Sequence, residues 1–326
     1  MDPAGLLKVL GTTISGRLTL GARGPVLRRD LDLSAPNTLP ERRFGRTGVM
    51  LPILGLGGWY LGDAGSERAA AELVETALVE GVRFFDNAES YHGGTSERWL
   101  GAALESLGAR HHAFLATKTY DPTDRSRETA ARHLEGSLRR LRTDHLDLWQ
   151  LHGVRSAHDV DRAFGRGGAM QYLVEAQQQG VVRYIGVTGH HDPAANLRAL
   201  HYWDEGIRFD AMQMPLNPID HHQRSFERQV LPALLERDIG VVAMKTSAEG
   251  RLLRGRVCTS AECHRYVWSL PVSVAVVGME RPAFVRENAR VARAFSELGD
   301  ADRGALLDRV APRASLRLEP YKEAGF

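Results

Sequence analysis

Cysteine is nearly missing from this chain: two thiols, Cys258 and Cys263, occur in 326 residues, both in the segment CTSAEC. One pair is too little for a structural zinc or iron–sulfur site, which generally takes four ligands, and two reduced thiols fit a cytoplasmic protein. An excess of one charge sign is missing too. Lys and Arg number 42 against 40 Asp and Glu, for a net charge of +2, and no basic stripe is interleaved with aromatic residues. That balance argues against a nucleic-acid or polyanion partner. No apolar run approaches the roughly 20 residues that a membrane span requires, so no membrane partner is expected.

Acids are absent from one stretch. None stands between Pro3 and Arg29, where Lys8, Arg17, Arg23, Arg28 and Arg29 are basic. The segment LLKVLGTTISG is a poor h-region for a secretory signal, and an acid-poor organelle transit peptide fits slightly better. The reading adopted is a flexible bacterial N-terminal extension over residues 1–40. Pro36, Asn37 and Pro40 mark the linker, and residues 41–326 form the folded domain. A GxGxxG turn is also missing: GLGGWYLG, at 55–62, lacks that spacing and opens no helix, which argues against a doubly wound dinucleotide fold.

What is present is a rhythm. The segments PILGLGG, RFFDNA, AFLATKT, LDLWQLH, VRYIGVTG, FDAMQMPL, GVVAMKTS and VSVAVVGM begin near 52, 83, 113, 146, 182, 209, 240 and 272. They recur at roughly 30 residues, the length of a βα unit. Between them run amphipathic stretches such as SERAAAELVETALVEG, whose Ala70, Leu73, Val74, Ala77 and Leu78 form one helical stripe. Ser66 and Ser126 suit N-caps, and Gly81 and Gly180 suit C-caps. Eight strands alternating with helices predict a single α/β (β/α)8 barrel, a TIM barrel. A hairpin in RRFGRTGVMLPIL precedes it, an extra helix in ADRGALLDRVA follows Phe295, and the EPYKEAGF tail is irregular.

Barrel enzymes carry their chemistry at the C-terminal ends of strands and in the loops beyond. There stand Asp86 and Tyr91 after the second strand, Lys118 at the end of the third and His152 at the end of the fourth. Together they suit proton donation to a carbonyl oxygen. A phenol, with an ordinary pKa near 10, is a feeble acid; a neighbouring ammonium stabilises its phenolate. A carboxylate keeps that ammonium charged, and an imidazole orients the substrate oxygen. The adjacent pairs His111–His112, His190–His191 and His221–His222 lack the HxH or HxxxH spacing of metal ligands, so no metal is expected.

The four residues, with the blocks FFDNAESYHGGTSERWLGAAL, LRRLRTDHLDLWQLHG, VRYIGVTG and MERPAFVRENA, resemble the aldo-keto reductase family from about Arg42 to about Phe295. The resemblance implies hydride transfer from a nicotinamide cofactor to a small aldehyde or ketone, reversibly. Tyr91 would be the general acid, Asp86 and Lys118 its tuners and His152 the orienting group. It implies further that Thr188 and Gln213, with Asn217 nearby, meet the nicotinamide carboxamide and that Glu287 and Asn288 meet adenine. Trp59 and His92 would line the substrate pocket.

Some positions depart from the family's pattern. Its nicotinamide-stacking tyrosine is replaced by Met244, followed by Lys245. The basic residue expected at the 2′-phosphate falls on Phe284, leaving Arg281 or Lys245 to serve, and Gly278 ends the last strand. NADP is expected over NAD. The Gly-rich insertion VRSAHDVDRAFGRGGAM after His152 is placed to cover the pocket. A cofactor-binding regulatory subunit on the same fold would be favoured by loss of one of the four residues, and none is lost. An unrelated isomerase or lyase barrel would want a Gly-rich phosphate grip, for which Gly278 alone is poor support.

Overall fold

Alternating side chains decide the architecture. In the computed structural model, which describes residues 37–323, eight segments form strands whose even and odd positions face different cores. They are β3 (Leu54–Gly57), β4 (Phe84–Asp86), β5 (Phe114–Thr119), β6 (Leu146–Val154), β7 (Val182–Gly189), β8 (Ala211–Pro215), β9 (Gly240–Met244) and β10 (Val274–Gly278). Neighbours pair in parallel and β10 closes onto β3, making a complete barrel. Phe84, Phe114, Ala116, Leu148, Ala211, Val242 and Val274 fill its interior. Their immediate neighbours Phe85, Leu115, Trp149, Met212, Val241 and Ala275 belong to the larger core shared with the helices, as a period of two requires.

The hairpin before the barrel is β1 (Glu41–Arg43) paired antiparallel with β2 (Met50–Pro52). Its turn closes the N-terminal end of the barrel. Phe44 is fully buried there, with ring centroids 5.6 Å from Phe114 and 6.5 Å from Phe84, and burial of such a ring contributes about 1.5–3 kcal/mol. The fit demands glycine at position 45. Gly45 has φ +49°, and a Cβ there would lie 2.3 Å from the Gly240 nitrogen.

Helices fill the gaps: α1 (Glu67–Val79), α2 (Thr95–Ser106), α3 (Arg127–Leu141), α4 (Ala157–Phe164), α5 (Ala169–Gln178), α6 (Pro193–Asp204), α7 (Phe226–Gln229), α8 (Leu231–Glu236), α9 (Arg251–Arg254), α10 (Ser260–Trp268), α11 (Pro282–Arg293) and the extra α12 (Asp300–Val310). α1 buries the expected stripe, and Ser66 caps it by accepting from the Ala69 amide. Ser126 does the same for Thr129 at α3. Gly81 and Gly180 follow the C-caps Glu80 and Gln179 with φ of +89° and +75°, where a side chain would be strained.

Three stretches differ from their reading as sequence. Residues 1–36 of the expected extension lie outside the described residues, whereas Leu39 is buried and the Pro40 carbonyl accepts from the Ile53 amide. The insertion after His152 is mostly helix, and only its start, at Arg155, stands at the mouth. The helix is α4, capped by Ser156 and packed against α5 and α6, with Val160, Ala163 and Phe164 buried. The tail beyond α12 forms three short 3-10 turns, Ala311–Arg313, Leu316–Leu318 and Pro320–Lys322, and is packed: Glu319, Tyr321 and Lys322 are essentially inaccessible. Lys322 Nζ donates to Asp220 at 2.6 Å and to Glu319 at 2.7 Å. Asn217 Nδ2 donates to the Tyr321 hydroxyl at 3.1 Å and to Glu319 at 3.0 Å. A loop beyond β8 thus anchors this tail, Asp220 and Asn217 meeting its buried Lys322, Glu319 and Tyr321.

Candidate active site

The barrel's alternation delivers the site residues. Phe84 points into the barrel, so Asp86 two residues on points the same way; Phe114 and Ala116 lead likewise to Lys118, and Leu148 to Gln150 and His152. Asp86 and Lys118 thereby meet on the axis. Lys118 Nζ donates to both Asp86 oxygens at 2.7 Å and to the Asn87 carbonyl at 2.6 Å, with both side chains almost wholly buried. Burial alone would lower the lysine, but Asp86 and Tyr91 outweigh it and hold the ammonium above its ordinary value.

Tyr91 enters from the turn after β4. His92, Gly93 and Gly94 all adopt positive φ there, which folds the short segment back over the mouth. The Lys118 ammonium lies 5.3 Å from the centre of the phenol ring. Burial pushes the phenol's pKa up and Lys118 opposes that shift. Sequence reasoning expected the lysine to prevail; burial is the larger influence here, so the phenol stays protonated through neutral pH.

His152 lies at an irregularity of β6, where the register with β7 shifts between Leu151 and Val154. Gly153 has φ +64°, and its amide donates to the Thr188 hydroxyl at 2.8 Å. The imidazole packs edge-on to Tyr91, with centroids 6.1 Å apart. Burial, and then Lys118 and other cations, push it well below the usual histidine range, so it is neutral. Trp59 packs at 5.2 Å on Tyr91 and at 4.5 Å on His92, so both expected pocket residues stand at this mouth. Gly62 makes room for His92, since a Cβ there would lie 2.6 Å from the imidazole.

The expected cofactor residues are arranged around the other half of the rim. Thr188 and Gln213 occupy inward positions of β7 and β8 and are fully buried. Gln213 Nε2 donates to Asp86 at 3.2 Å and its oxygen accepts from Gln150 at 2.9 Å. Asn217 is committed elsewhere, to the C-terminal segment and the Lys245 carbonyl. Met244 ends β9. Lys245, at φ +54°, pairs with Glu249. Gly278 ends β10. Arg281, exposed at the start of α11, lies over the Phe284 ring at 4.6 Å and has no carboxylate partner among the described residues. Glu287 is exposed on α11 and Asn288 buried.

Several groups at this mouth escaped sequence reasoning: Tyr120, 5.2 Å from His152; Gln150; Arg155; and the Glu319–Lys322 segment. Tyr120 stands two residues past Lys118, so the strand-end rule could have found it. The tail gave no local signal. Hydrogen-bonding capacity is left over: His92 Nε2, His152 Nδ1, His190 Nδ1 and Asn87 Nδ2 are buried nitrogens with no partner among the described residues. Buried polar atoms are normally satisfied, so these suit a polar ligand such as a carbonyl compound with a nicotinamide dinucleotide. Among the described residues no three His, Cys, Asp or Glu side chains gather as a metal site, and no helix is long and apolar enough to cross a membrane.

The buried imidazoles have a thermodynamic consequence. His191 and His264 are pushed down to about 4, chiefly by burial, and His152 and His190 lie well below 6.5. Unfolding lets each bind a proton between its folded value and 6.5, so stability falls as pH drops through that window. Asp220 acts oppositely: burial raises it to about 7 from 3.8, and the proton it holds favours the folded state in the same range. Glu89, also raised by burial, acts with Asp220, but His112, His133 and His222 are lowered like the other four, so the histidines outnumber the acids. Denaturant midpoints are therefore expected to fall steadily from pH 7 to 4.5; a flat profile would show that these histidines are not held neutral.

Comparison with known proteins agrees with this geometry. The profile described as the aldo/keto reductase family matches residues 53–262. The chain is 32% identical to the uncharacterized oxidoreductase YrpG of Bacillus subtilis (strain 168), over 66% of this chain and 68% of that one. It is 31% identical to the methylglyoxal reductase YeaE of Escherichia coli (strain K12), over 70% and 76%. The fold matches a crystal structure of an aldo-keto reductase from Klebsiella pneumoniae in complex with NADPH at a TM-score of 0.68, with 23% identity, over 84% of this chain and 96% of that one. With an eight-stranded closed barrel, an N-terminal hairpin and this profile match, the chain is an oxidoreductase that belongs to the aldo/keto reductase family.

Proposed function

We propose that this protein reduces an aldehyde or ketone with NADPH, Tyr91 serving as the proton donor. The observation that carries the reading is the buried Lys118–Asp86 pair beside the Tyr91 phenol, with the neutral His152 imidazole packed edge-on to it. When bound, the nicotinamide supplies hydride to the carbonyl carbon. The chain's own residues do the rest. Tyr91 donates its hydroxyl proton to the carbonyl oxygen as negative charge develops there. Lys118 stabilises the phenolate left behind, and Asp86 keeps the ammonium charged in spite of its burial. His152 donates a hydrogen bond that orients the oxygen. Trp59 and His92 wall the substrate side and exclude water.

The cofactor would rest on the rim from β7 to α11. Thr188 and Gln213 would hold the carboxamide, and Met244 would offer its thioether to the ring in place of an aromatic. Lys245 and Gly278 would line the phosphates, and Glu287 and Asn288 would meet the adenine. Arg281 has the charge a 2′-phosphate needs and no competing carboxylate among the described residues, which favours NADP over NAD. The NADPH held by the Klebsiella structure and the methylglyoxal reductase name of the E. coli relative support the same reading.

Titration with NADPH and NADH by fluorescence, followed by a panel of aldehydes and ketones, tests the function; binding of neither nucleotide would overturn it. Lys118→Met tests the tuning. Without the ammonium the phenol pKa rises further, so activity should drop about a hundredfold or more, with its alkaline limb at higher pH. The wild-type pH profile in that variant would remove the tuning role.

A further inference from the structure

Five cations set the electrostatics of the mouth. Burial depresses His152, His190 and His191 most, and Lys118, Lys245, Arg125, Arg155 and Arg224 are the side-chain cations that add to it. Four of them are neutralised. Lys118 pairs with Asp86, Arg125 with Asp159, Arg224 with Asp192 and Lys245 with Glu249. Arg155 alone has no carboxylate partner among the described residues. Its exposed guanidinium donates at 2.6 Å to the hydroxyl of Tyr120, whose ring packs 5.2 Å from His152. Its backbone amide is tied to Asp159 at 3.1 Å, and Arg125 fixes that aspartate from both oxygens at 2.8 Å. The residue is thus held at its root and at its tip, three positions beyond His152, with donors to spare.

A guanidinium held this way, next to the group that would orient a carbonyl, suits an anion carried by the substrate itself. We infer that Arg155 is a specificity-determining residue which, with Tyr120, selects carbonyl compounds bearing a carboxylate or phosphate. Such a group accepts two hydrogen bonds from one guanidinium. This rests on the carbonyl-reductase reading above. It adds the chemical class of the substrate, which that reading leaves open. Lys245 lies over the Tyr321 ring and is paired with Glu249, whereas Arg155 bonds Tyr120, so substrate anion and cofactor phosphates would use separate cations.

The test compares matched carbonyls with NADPH. For the wild-type enzyme, kcat/KM for 4-carboxybenzaldehyde should exceed that for its neutral methyl ester by about tenfold or more, and the advantage should shrink as salt is raised. Glyceraldehyde 3-phosphate against glyceraldehyde tells phosphate from carboxylate. In Arg155→Leu the acid-to-ester ratio should fall about tenfold through KM, with NADPH affinity retained; Arg155→Lys should restore part of it. Wild-type ratios near one within both pairs, or a loss in Arg155→Leu that is the same for acid and ester, would overturn the inference while leaving carbonyl reduction intact. If neither member of either pair is reduced, the carbonyl-reductase reading fails and this inference with it.

Discussion

Replacing Tyr91 by phenylalanine is expected to lower carbonyl turnover about a hundred- to ten-thousand-fold, the usual contribution of a positioned general acid and equivalent to roughly 3–5 kcal/mol of transition-state stabilisation. The substitution is nearly isosteric. The ring keeps its packing on Trp59 and His152, and the Lys118–Asp86 pair keeps its 2.7 Å bonds. What disappears is the hydroxyl proton that the proposed mechanism passes to the substrate oxygen. NADPH affinity should change little, since the proposed cofactor contacts lie on β7 to β10 and α11. Steady-state kinetics and a fluorescence titration separate the two effects. Activity within threefold of wild type would refute the assignment of Tyr91 to proton transfer.

Lys322→Met is expected to destabilise the fold by about 3–5 kcal/mol, the cost of breaking a buried ion pair from one side. Lys322, Asp220 and Glu319 are all inaccessible to water. The ammonium also donates to the Gln223 carbonyl at 2.9 Å. Methionine fills similar space but leaves two carboxyl groups facing each other without a cation. Burial already raises Asp220 to about 7; without the lysine it rises further. Adding Asp220→Asn and Glu319→Gln to the variant should recover part of the loss, because neutral amides need no counter-charge. Denaturant midpoints decide it: a shift below about 0.5 kcal/mol, the range of ordinary surface substitutions, would make the network dispensable. Tyr321 also holds Asn217 and underlies Lys245, so a loosened tail should raise KM for NADPH as well.

Much of the candidate site is legible in the order of residues along the chain. Strand ends follow from apolar periodicity, and barrels place inward-facing residues at those ends on one rim. Asp86, Lys118 and His152 can therefore be named from spacing, and Tyr91 from its place one short loop further on. Legibility ends where partners are distant in the chain. Lys322 lies 102 residues from Asp220, and nothing local to EPYKEAGF distinguishes a buried strap from a frayed end. Asn217 reads as a cofactor contact because it follows β8, yet its amide is committed to that strap. The insertion after His152 reads as a cover because of its glycines; Ser156, Val160, Ala163 and Phe164 make it a capped helix instead.

Local patterns in the chain are enough for the eightfold strand–helix alternation, the hairpin plug, the caps at Ser66 and Ser126 and the convergence of Asp86, Tyr91, Lys118 and His152. Each depends on periodicity or on a turn of a few residues. Which neighbour sets each charge is settled only by tertiary packing. Packing sets burial above Lys118 in tuning the Tyr91 phenol, uses Asp159 to neutralise Arg125, leaves Arg155 without a carboxylate among the described residues and buries Lys322. Those outcomes depend on desolvation and on distances between groups far apart in the chain, and both come into being only when the barrel closes.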